Sequence, residues 1–328
     1  MNAGGGRREA DRAQPGGNPP RLPVVWLETN SCCGNILSTL NSLDPTFREI
    51  LQGFLDLRYC HTLMAAEGEM ADAVLRECLG EGGYTLVVEG TVPTAAGGYY
   101  AVVGRKNGRP WTALEAVQEA STPAKHVVAV GSCAAFGGPF AAAPNPSGSK
   151  PLSAVVARKV INVPGCPVHP DWVLGTLAAL AWYGEPELDA LNRPRMFYEE
   201  TIHNHCTRRY YFESGIFAKE PGEPWCMYKL GCKGSVTFAD CPLRQWSGEH
   251  QSWPVGVNTP CIGCTSPEFP DGTSPFFEHL PDIRLPNVRV AANRVGLVTG
   301  AAAALGIGVH FIANVLTGRL KRVWGKKK

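Results

Sequence analysis

Four short apolar runs punctuate the first half of the chain: Val24–Glu28, Thr85–Glu89, His126–Gly131 and Val160–Val163. Each is rich in valine, and runs of this kind mark strands buried on both faces. Between them, Gly34–Leu43, Ala65–Leu79, Trp111–Ala120 and Asp171–Trp182 read as helices. Buried strands alternating with helices predict an α/β domain built on an open parallel sheet, flavodoxin-like in outline. Ligands of such sheets sit in the crevice beyond the carboxyl ends of the strands. All four strand ends carry candidate chemistry. They are Asn30-Ser31-Cys32-Cys33-Gly34-Asn35, Glu89-Gly90-Thr91-Val92-Pro93, Gly131-Ser132-Cys133 and Pro164-Gly165-Cys166-Pro167. The expectation is that three cysteines and a carboxylate, far apart in sequence, converge on one edge.

From about Asn192 the strand–helix rhythm is lost, and Pro, Gly, Trp and Cys dominate to about Phe277. Without patterning for a large core of its own, this stretch reads as a small loop-rich domain stapled by metal. The last pattern is one long uncharged run from Val295 to Gly318, counting His310 as neutral. About 20 apolar residues cross a bilayer as a helix, so the run predicts a C-terminal membrane anchor, with a buried helix in a complex as the alternative. Arg319, Lys321, Arg322 and Lys326–Lys328 follow at once, with Trp324 among them as an interfacial anchor, and this basic tail favours a cytoplasmic C-terminus. The expected organisation is a disordered leader (1–21), a flavodoxin-like domain (22–191), a cysteine-rich domain (192–278), and a linker, helix and tail (279–328). Arg7-Arg8 in the leader lacks a following apolar core, so no export signal is visible and the membrane side stays open.

Composition narrows the function. A formal net charge of +2 gives no global argument for nucleic acid. Gly97-Gly98 and Gly137-Gly138 lack the spacing of a phosphate-binding loop. Twelve cysteines in 328 residues, with no secretory apolar stretch, favour metal ligation over a disulfide framework. All but Cys60 and Cys78 lie in short motifs. Those two fall between motifs, in what reads as helical sequence, and are expected to be core or surface thiols. The densest group is His203-Asn204-His205-Cys206, Cys226, Cys232, Cys241 and Cys261-Ile262-Gly263-Cys264. Closely spaced thiolates with a nearby imidazole are what iron–sulfur clusters require, which points to an electron carrier.

With these residues in view, the chain from about Val24 to Phe277 resembles the small, electron-transferring subunit of nickel–iron hydrogenases of the membrane-bound uptake type. The motifs that carry the resemblance are Trp26-Leu27-Glu28, Leu63-Met64-Ala65-Ala66, Gly131-Ser132-Cys133 and Asn162-Val163-Pro164-Gly165-Cys166-Pro167. Trp225-Cys226-Met227-Tyr228-Lys229-Leu230-Gly231-Cys232 and Pro260-Cys261-Ile262-Gly263-Cys264 complete the set. The resemblance implies three clusters in a row. A distal 4Fe-4S cluster would be held by His203, Cys206, Cys226 and Cys232, with His205 as bystander. A medial 3Fe-4S cluster would use Cys241, Cys261 and Cys264, with Pro254 where a fourth cysteine could stand. A proximal cluster, 4Fe-4S or 3Fe-4S, would use Cys32, Cys133 and Cys166.

At the proximal cluster the chain departs from the family: the expected second cysteine of a Cys-x-x-Cys motif falls on Asn35. Three outcomes stay open there. Cys33 substitutes, an oxygen ligand fills the position, or the site keeps three irons. One of the extra cysteines of oxygen-tolerant members would fall near Cys33, but the other position is Gly138. The resemblance further implies a nickel–iron centre in a separate large subunit, a cytochrome b or quinone-linked membrane acceptor near His310, and a heterodimer open to pairing as a dimer of heterodimers. Glu89 would lie beside the proximal cluster in a proton, hydrogen-bonding or structural role. The rivals are a quinone-reductase-type subunit, which shares the proximal domain only, and a zinc-binding interaction module.

Overall fold

The computed structural model describes residues 21–246, 250–276, 283–285, 288–290 and 292–319. All but Arg21 of the leader expected over 1–21, most of the 279–291 linker and the basic tail beyond Arg319 lie outside the described residues. Arg21, assigned to the leader from sequence, donates to the carbonyls of Leu51 and Leu55 and so is tied to the first domain.

Five parallel strands form the sheet: β1 (Leu22–Glu28), β2 (Leu55–Cys60), β3 (Thr85–Glu89), β4 (His126–Val130) and β5 (Ile161–Val163), in the order β2-β1-β3-β4-β5. The order reverses at β1 and β3, the switch point of a flavodoxin-like sheet. Four of the strands are those expected from the apolar runs. The fifth, β2, is a correction: Asp56 and Arg58 interrupt its apolar pattern, because it is an edge strand whose Arg58 faces solvent and pairs with Asp56 and Glu81. Cys60 therefore ends a strand rather than lying in a helix.

Adjacent strand residues alternate between two cores. Val24, Trp26, Val87 and Val128 face one, and Val25, Leu27, Leu86 and Val127 face the other, which explains the unbroken apolar runs. Helices α2 (Glu69–Glu81) and α3 (Ala113–Ser121) cover the second face, α3 opening on a Thr112/Glu115 capping box. α5 (Pro170–Trp182) covers the first face, and its buried Trp172, Val173, Leu174 and Leu177 continue into the cysteine-rich region. Phe197, Tyr198, Ile202, Met227, Trp253 and Val255 belong to that same apolar cluster, so the loop-rich region packs onto the sheet.

The strand register puts the chemistry on one line. Glu28 pairs with Glu89, Glu89 with Val130, and Val130 with Val163, so the four following loops leave the sheet at one level. Two of these loops turn at once into helices, α1 (Gly34–Thr39) and α4 (Gly131–Phe136). Gly131 has φ +84° and a Cβ there would lie 2.3 Å from the Asn35 amide, so only glycine fits.

At the far end, α6 (Ala292–Leu316) is a single long helix. Its Val295–Leu316 stretch is long and apolar enough to cross a membrane, and none of that window is buried by the rest of the chain. Leu297, Leu305, Ile307, Phe311 and Ile312 all stand exposed on it.

Candidate metal centres

The sheet edge gathers Cys32, Cys133 and Cys166, as the sequence leads one to expect. Cys133 is an electrostatic neighbour of both Cys166 and Cys32, and burial pushes its thiol up to about 12. Cys32 and Cys166 are exposed, so this group opens at the surface. Leu37, Leu40 and Leu43 on and after α1, which follows the Cys32 loop, are exposed, as is Phe140, whose backbone lies beside Cys133.

Asn35 is spent elsewhere. Its Nδ2 donates to Glu89 Oε1 at 3.1 Å and its Oδ1 accepts from the Val168 backbone at 2.9 Å. Both ends of the amide are thereby used, and Asn35 ties the Cys32 loop to the Cys166 loop through hydrogen bonds. Cys33 stands at φ +56°, and its sulfur lies beside Thr62 with Glu28 nearby. Thr62 in turn binds Glu28 through both its backbone N–H and its hydroxyl. Burial pushes the Cys33 thiol up, and its charged neighbours are Glu28, Glu89 and Cys32.

Glu89 is fully buried and accepts five hydrogen bonds. Ser31 Oγ (3.0 Å), Asn35 N (2.9 Å) and Asn35 Nδ2 donate to Oε1, while Trp26 Nε1 (3.2 Å) and Ile36 N (3.0 Å) donate to Oε2. Burial pushes its pKa up, opposed by these donors, and the net shift is upward. The carboxylate is the anchor of the Cys32 loop and of the start of α1.

The cysteine-rich region brings its own groups together. Ile202, His203, Cys206, Arg208, Cys226, Met227, Cys232 and Val255 are among the residues that line one cavity, so all four expected distal ligands share it. His203 packs edge-on against Phe212, and burial pulls its pKa below the ordinary histidine value. His205 instead pairs with Glu200 at 2.9 Å. Sequence alone gave no role to Arg208. It is buried, donates to the carbonyls of Glu223 and Trp225 and to Asn258, and its backbone N–H reaches Cys206 Sγ at 3.4 Å.

Cys241, Cys261 and Cys264 form the interior group: Cys261 has both others as electrostatic neighbours. Burial pushes all three thiols up, Cys264 to about 11. Pro254 is exposed, and Cys232 of the outer cavity is a further electrostatic neighbour of Cys261. Buried thiols of raised pKa, lying close together, are costly as thiolates unless a cation compensates them, and iron supplies that charge. The donor sets thus fit iron–sulfur clusters at the distal and medial positions, and three thiol donors fit at the proximal one.

The three groups touch. Cys264 is an electrostatic neighbour of Cys166, and the Ser132 hydroxyl beside Cys133 donates to the Cys264 carbonyl. The Cys261 backbone N–H donates to Cys232 Sγ at 3.4 Å. A continuous line runs from the sheet edge through the interior pair to the outer cavity.

Two family descriptions match the chain in succession. The NADH ubiquinone oxidoreductase 20 kDa subunit family matches residues 32–180, and the C-terminal family of NiFe/NiFeSe hydrogenase small subunits matches residues 198–277. The second match decides between the hydrogenase reading and the quinone-reductase rival. The chain belongs to the nickel–iron hydrogenase small-subunit family.

The periplasmic NiFe hydrogenase small subunit of Solidesulfovibrio fructosivorans is 38% identical over 264 residues, which covers 79% of this chain and 82% of that protein. The quinone-reactive Ni/Fe-hydrogenase small chain of Wolinella succinogenes is 36% identical over 311 residues, covering 90% and 86%. Among solved structures, the Ni-Fe-Se hydrogenase of Desulfomicrobium baculatum superposes with a TM-score of 0.75 at 38% identity, covering 78% of this chain and 98% of that one. The hydrogenase small subunit is an electron-transfer subunit of an oxidoreductase with iron–sulfur clusters, paired with a large subunit, and the fold expected from sequence stands.

Proposed function

We propose that this hydrogenase small subunit relays electrons from H2 oxidation at a nickel–iron centre in the large subunit, through three iron–sulfur clusters, to a membrane acceptor. The observation that carries the reading is the adjacency of the sulfur groups: Cys166 neighbours Cys264, and the Cys261 backbone N–H donates to Cys232 Sγ. Clusters held along this line would accept and pass on single electrons.

The distal set is His203, Cys206, Cys226 and Cys232, suited to a 4Fe-4S cluster. The medial set is Cys241, Cys261 and Cys264, suited to a 3Fe-4S cluster. The proximal set is Cys32, Cys133 and Cys166, for a 3Fe-4S cluster or a 4Fe-4S cluster whose fourth position is not a thiolate. Asn35 is hydrogen-bonded at both ends and Cys33 faces Thr62, which supports the open fourth position. The exposed edge with Leu37, Leu40 and Leu43 suits burial against the large subunit, since two of its thiols are exposed in the isolated chain.

Helix α6 supports membrane anchoring, and the quinone-reactive relative makes a quinone-linked cytochrome b the preferred acceptor, with His310 exposed on the helix. Residues 22–191 and 192–278 act as the proximal unit and the medial–distal unit.

The test is anaerobic purification of the heterodimer from membranes, with electron paramagnetic resonance of the reduced and oxidised forms. Three distinct cluster signals support the proposal; a colourless protein holding zinc alone would favour the interaction-module reading.

A further inference from the structure

The segment Cys261–Cys264 is held at both ends by neighbouring ligand loops, and the two ends are held differently. At the Cys261 end both donors are backbone groups: Lys233 N–H donates to the Cys261 carbonyl at 2.8 Å, and Cys261 N–H donates to Cys232 Sγ. At the Cys264 end one side chain does the joining. Ser132 Oγ donates to the Cys264 carbonyl and accepts from the Gly165 backbone N–H at 3.0 Å. The Ser132 backbone N–H closes the arrangement by donating to the Gly165 carbonyl at 2.9 Å. Ser132 is 1% exposed and sits in the first turn of α4, beside Cys133.

One hydroxyl therefore fastens three segments that the chain supplies far apart: 131–133 after β4, 164–166 after β5, and 261–264 of the cysteine-rich region. Cys166 directly follows Gly165, and Cys264 carries the carbonyl that the same hydroxyl holds.

We infer that Ser132 is a positioning residue for the proximal-to-medial electron step, setting how closely the Cys166 loop approaches the Cys264 segment. This rests on the proposed assignment of Cys133 and Cys166 to one cluster and Cys264 to the next. The chemistry follows from the donor count: a serine hydroxyl offers one proton and two lone pairs, and here the proton and a lone pair are both used between loops. Alanine leaves the Gly165 N–H and the Cys264 carbonyl without that partner and frees the two loops to separate. Hydrogen bonds that orient the ligands of a metal group tune it, so the same substitution acts on the medial potential as well as on the distance.

Tyr198 provides the control. Its hydroxyl donates to the Pro164 carbonyl at 2.8 Å, bracing the Cys166 loop with no hydrogen bond to the Cys264 segment. General loosening of that loop would give Ser132→Ala and Tyr198→Phe the same phenotype.

The experiment uses the purified heterodimer in three forms: unchanged, Ser132→Ala and Tyr198→Phe. The readouts are the potential and lineshape of the medial signal in electron paramagnetic resonance, acceptor-linked H2 oxidation, and H2/D2 exchange, which needs no relay. Ser132→Ala should shift the medial potential and lower acceptor-linked oxidation by about tenfold, the lower end of the loss usual for outer-shell partners of metal ligands. Exchange should be retained, and Tyr198→Phe should leave the medial signal in place. Unchanged medial potential and oxidation in Ser132→Ala, or equal effects in both variants, overturn the inference. If Ser132→Ala does not assemble, Ser132→Thr decides: with its hydroxyl kept, a native medial signal supports the inference and a shifted one overturns it. Absence of the three signals from the unchanged heterodimer would instead refute the relay proposal itself.

Discussion

The proximal edge and the cysteine-rich interior solve the same problem in opposite ways. In the interior, sulfurs are buried and their pKa values pushed up, and the outer cavity holds all four of its expected ligands. At the sheet edge, Cys32 and Cys166 are exposed, and the side chain at the expected fourth position is consumed by structure. The interior gathers its expected ligands within this chain, whereas the edge leaves two of its expected thiols exposed. An electron path requires this asymmetry: the end that meets the catalytic partner must present itself, and the middle must stay dry.

Removing an interior thiolate challenges this contrast most strongly. Cys261→Ser is expected to lower acceptor-linked H2 oxidation by more than about tenfold, with loss of the medial signal. Activity near the native level would show that electrons leave the edge without passing through the interior.

Next in size is removal of α6. A chain ending before Ala292 should move the assembled enzyme from the membrane to the soluble fraction and keep activity with a soluble dye. Retention in washed membranes would assign anchoring to another element.

The outer cavity is tested by two neighbouring imidazoles. His203→Ala should change or abolish the distal signal and lower acceptor reduction by about tenfold. His205→Ala, which loses only its pairing with Glu200, should do neither. Equal effects from both would mean that the cavity geometry misplaces the ligand.

Smaller effects are expected at the edge. Glu89→Gln places an amide where five donors converge, and should cost about 1–3 kcal/mol in denaturation of the heterodimer, because at least one buried donor loses its acceptor. Since burial holds the Glu89 pKa above its unfolded value, its contribution is fully present below the unfolded pKa and is lost as pH rises through the folded one. Stability measured against pH should therefore be flatter over that window in Glu89→Gln; an unchanged profile would remove Glu89 as its source. Smallest of all, Cys33→Ser should leave the proximal signal unchanged, since Cys33 faces Thr62. Loss of that signal would make Cys33 a ligand and close the fourth position.

How much of this was legible in the sequence follows the same division. The buried parallel strands could be read because both of their faces are covered, so valine-rich runs survive unbroken. β2 could not, because an edge strand carries charges such as Asp56 and Arg58 that disguise its period. The ligand motifs stand out because thiolate spacing is local, as in Cys261-Ile262-Gly263-Cys264. The fate of Asn35 was not local: its partners Glu89 and Val168 lie 54 and 133 residues away and meet it only through the strand register. Arg208 and Ser132 were invisible for the same reason, since each acts by joining loops distant in sequence. A Gly-Ser-Cys motif at a strand end shows that a hydroxyl is present, not where it points.

A three-cluster relay with a finished interior and an open edge makes a demand on both stoichiometry and redox behaviour. Iron and acid-labile sulfide analysis of the anaerobically purified heterodimer, combined with redox-titrated electron paramagnetic resonance, measures both at once. Iron and sulfide for three clusters are expected, with three separately titrating signals and the proximal one insensitive to Cys33→Ser. Zinc in place of iron without labile sulfide, or a single titrating cluster, would contradict the relay.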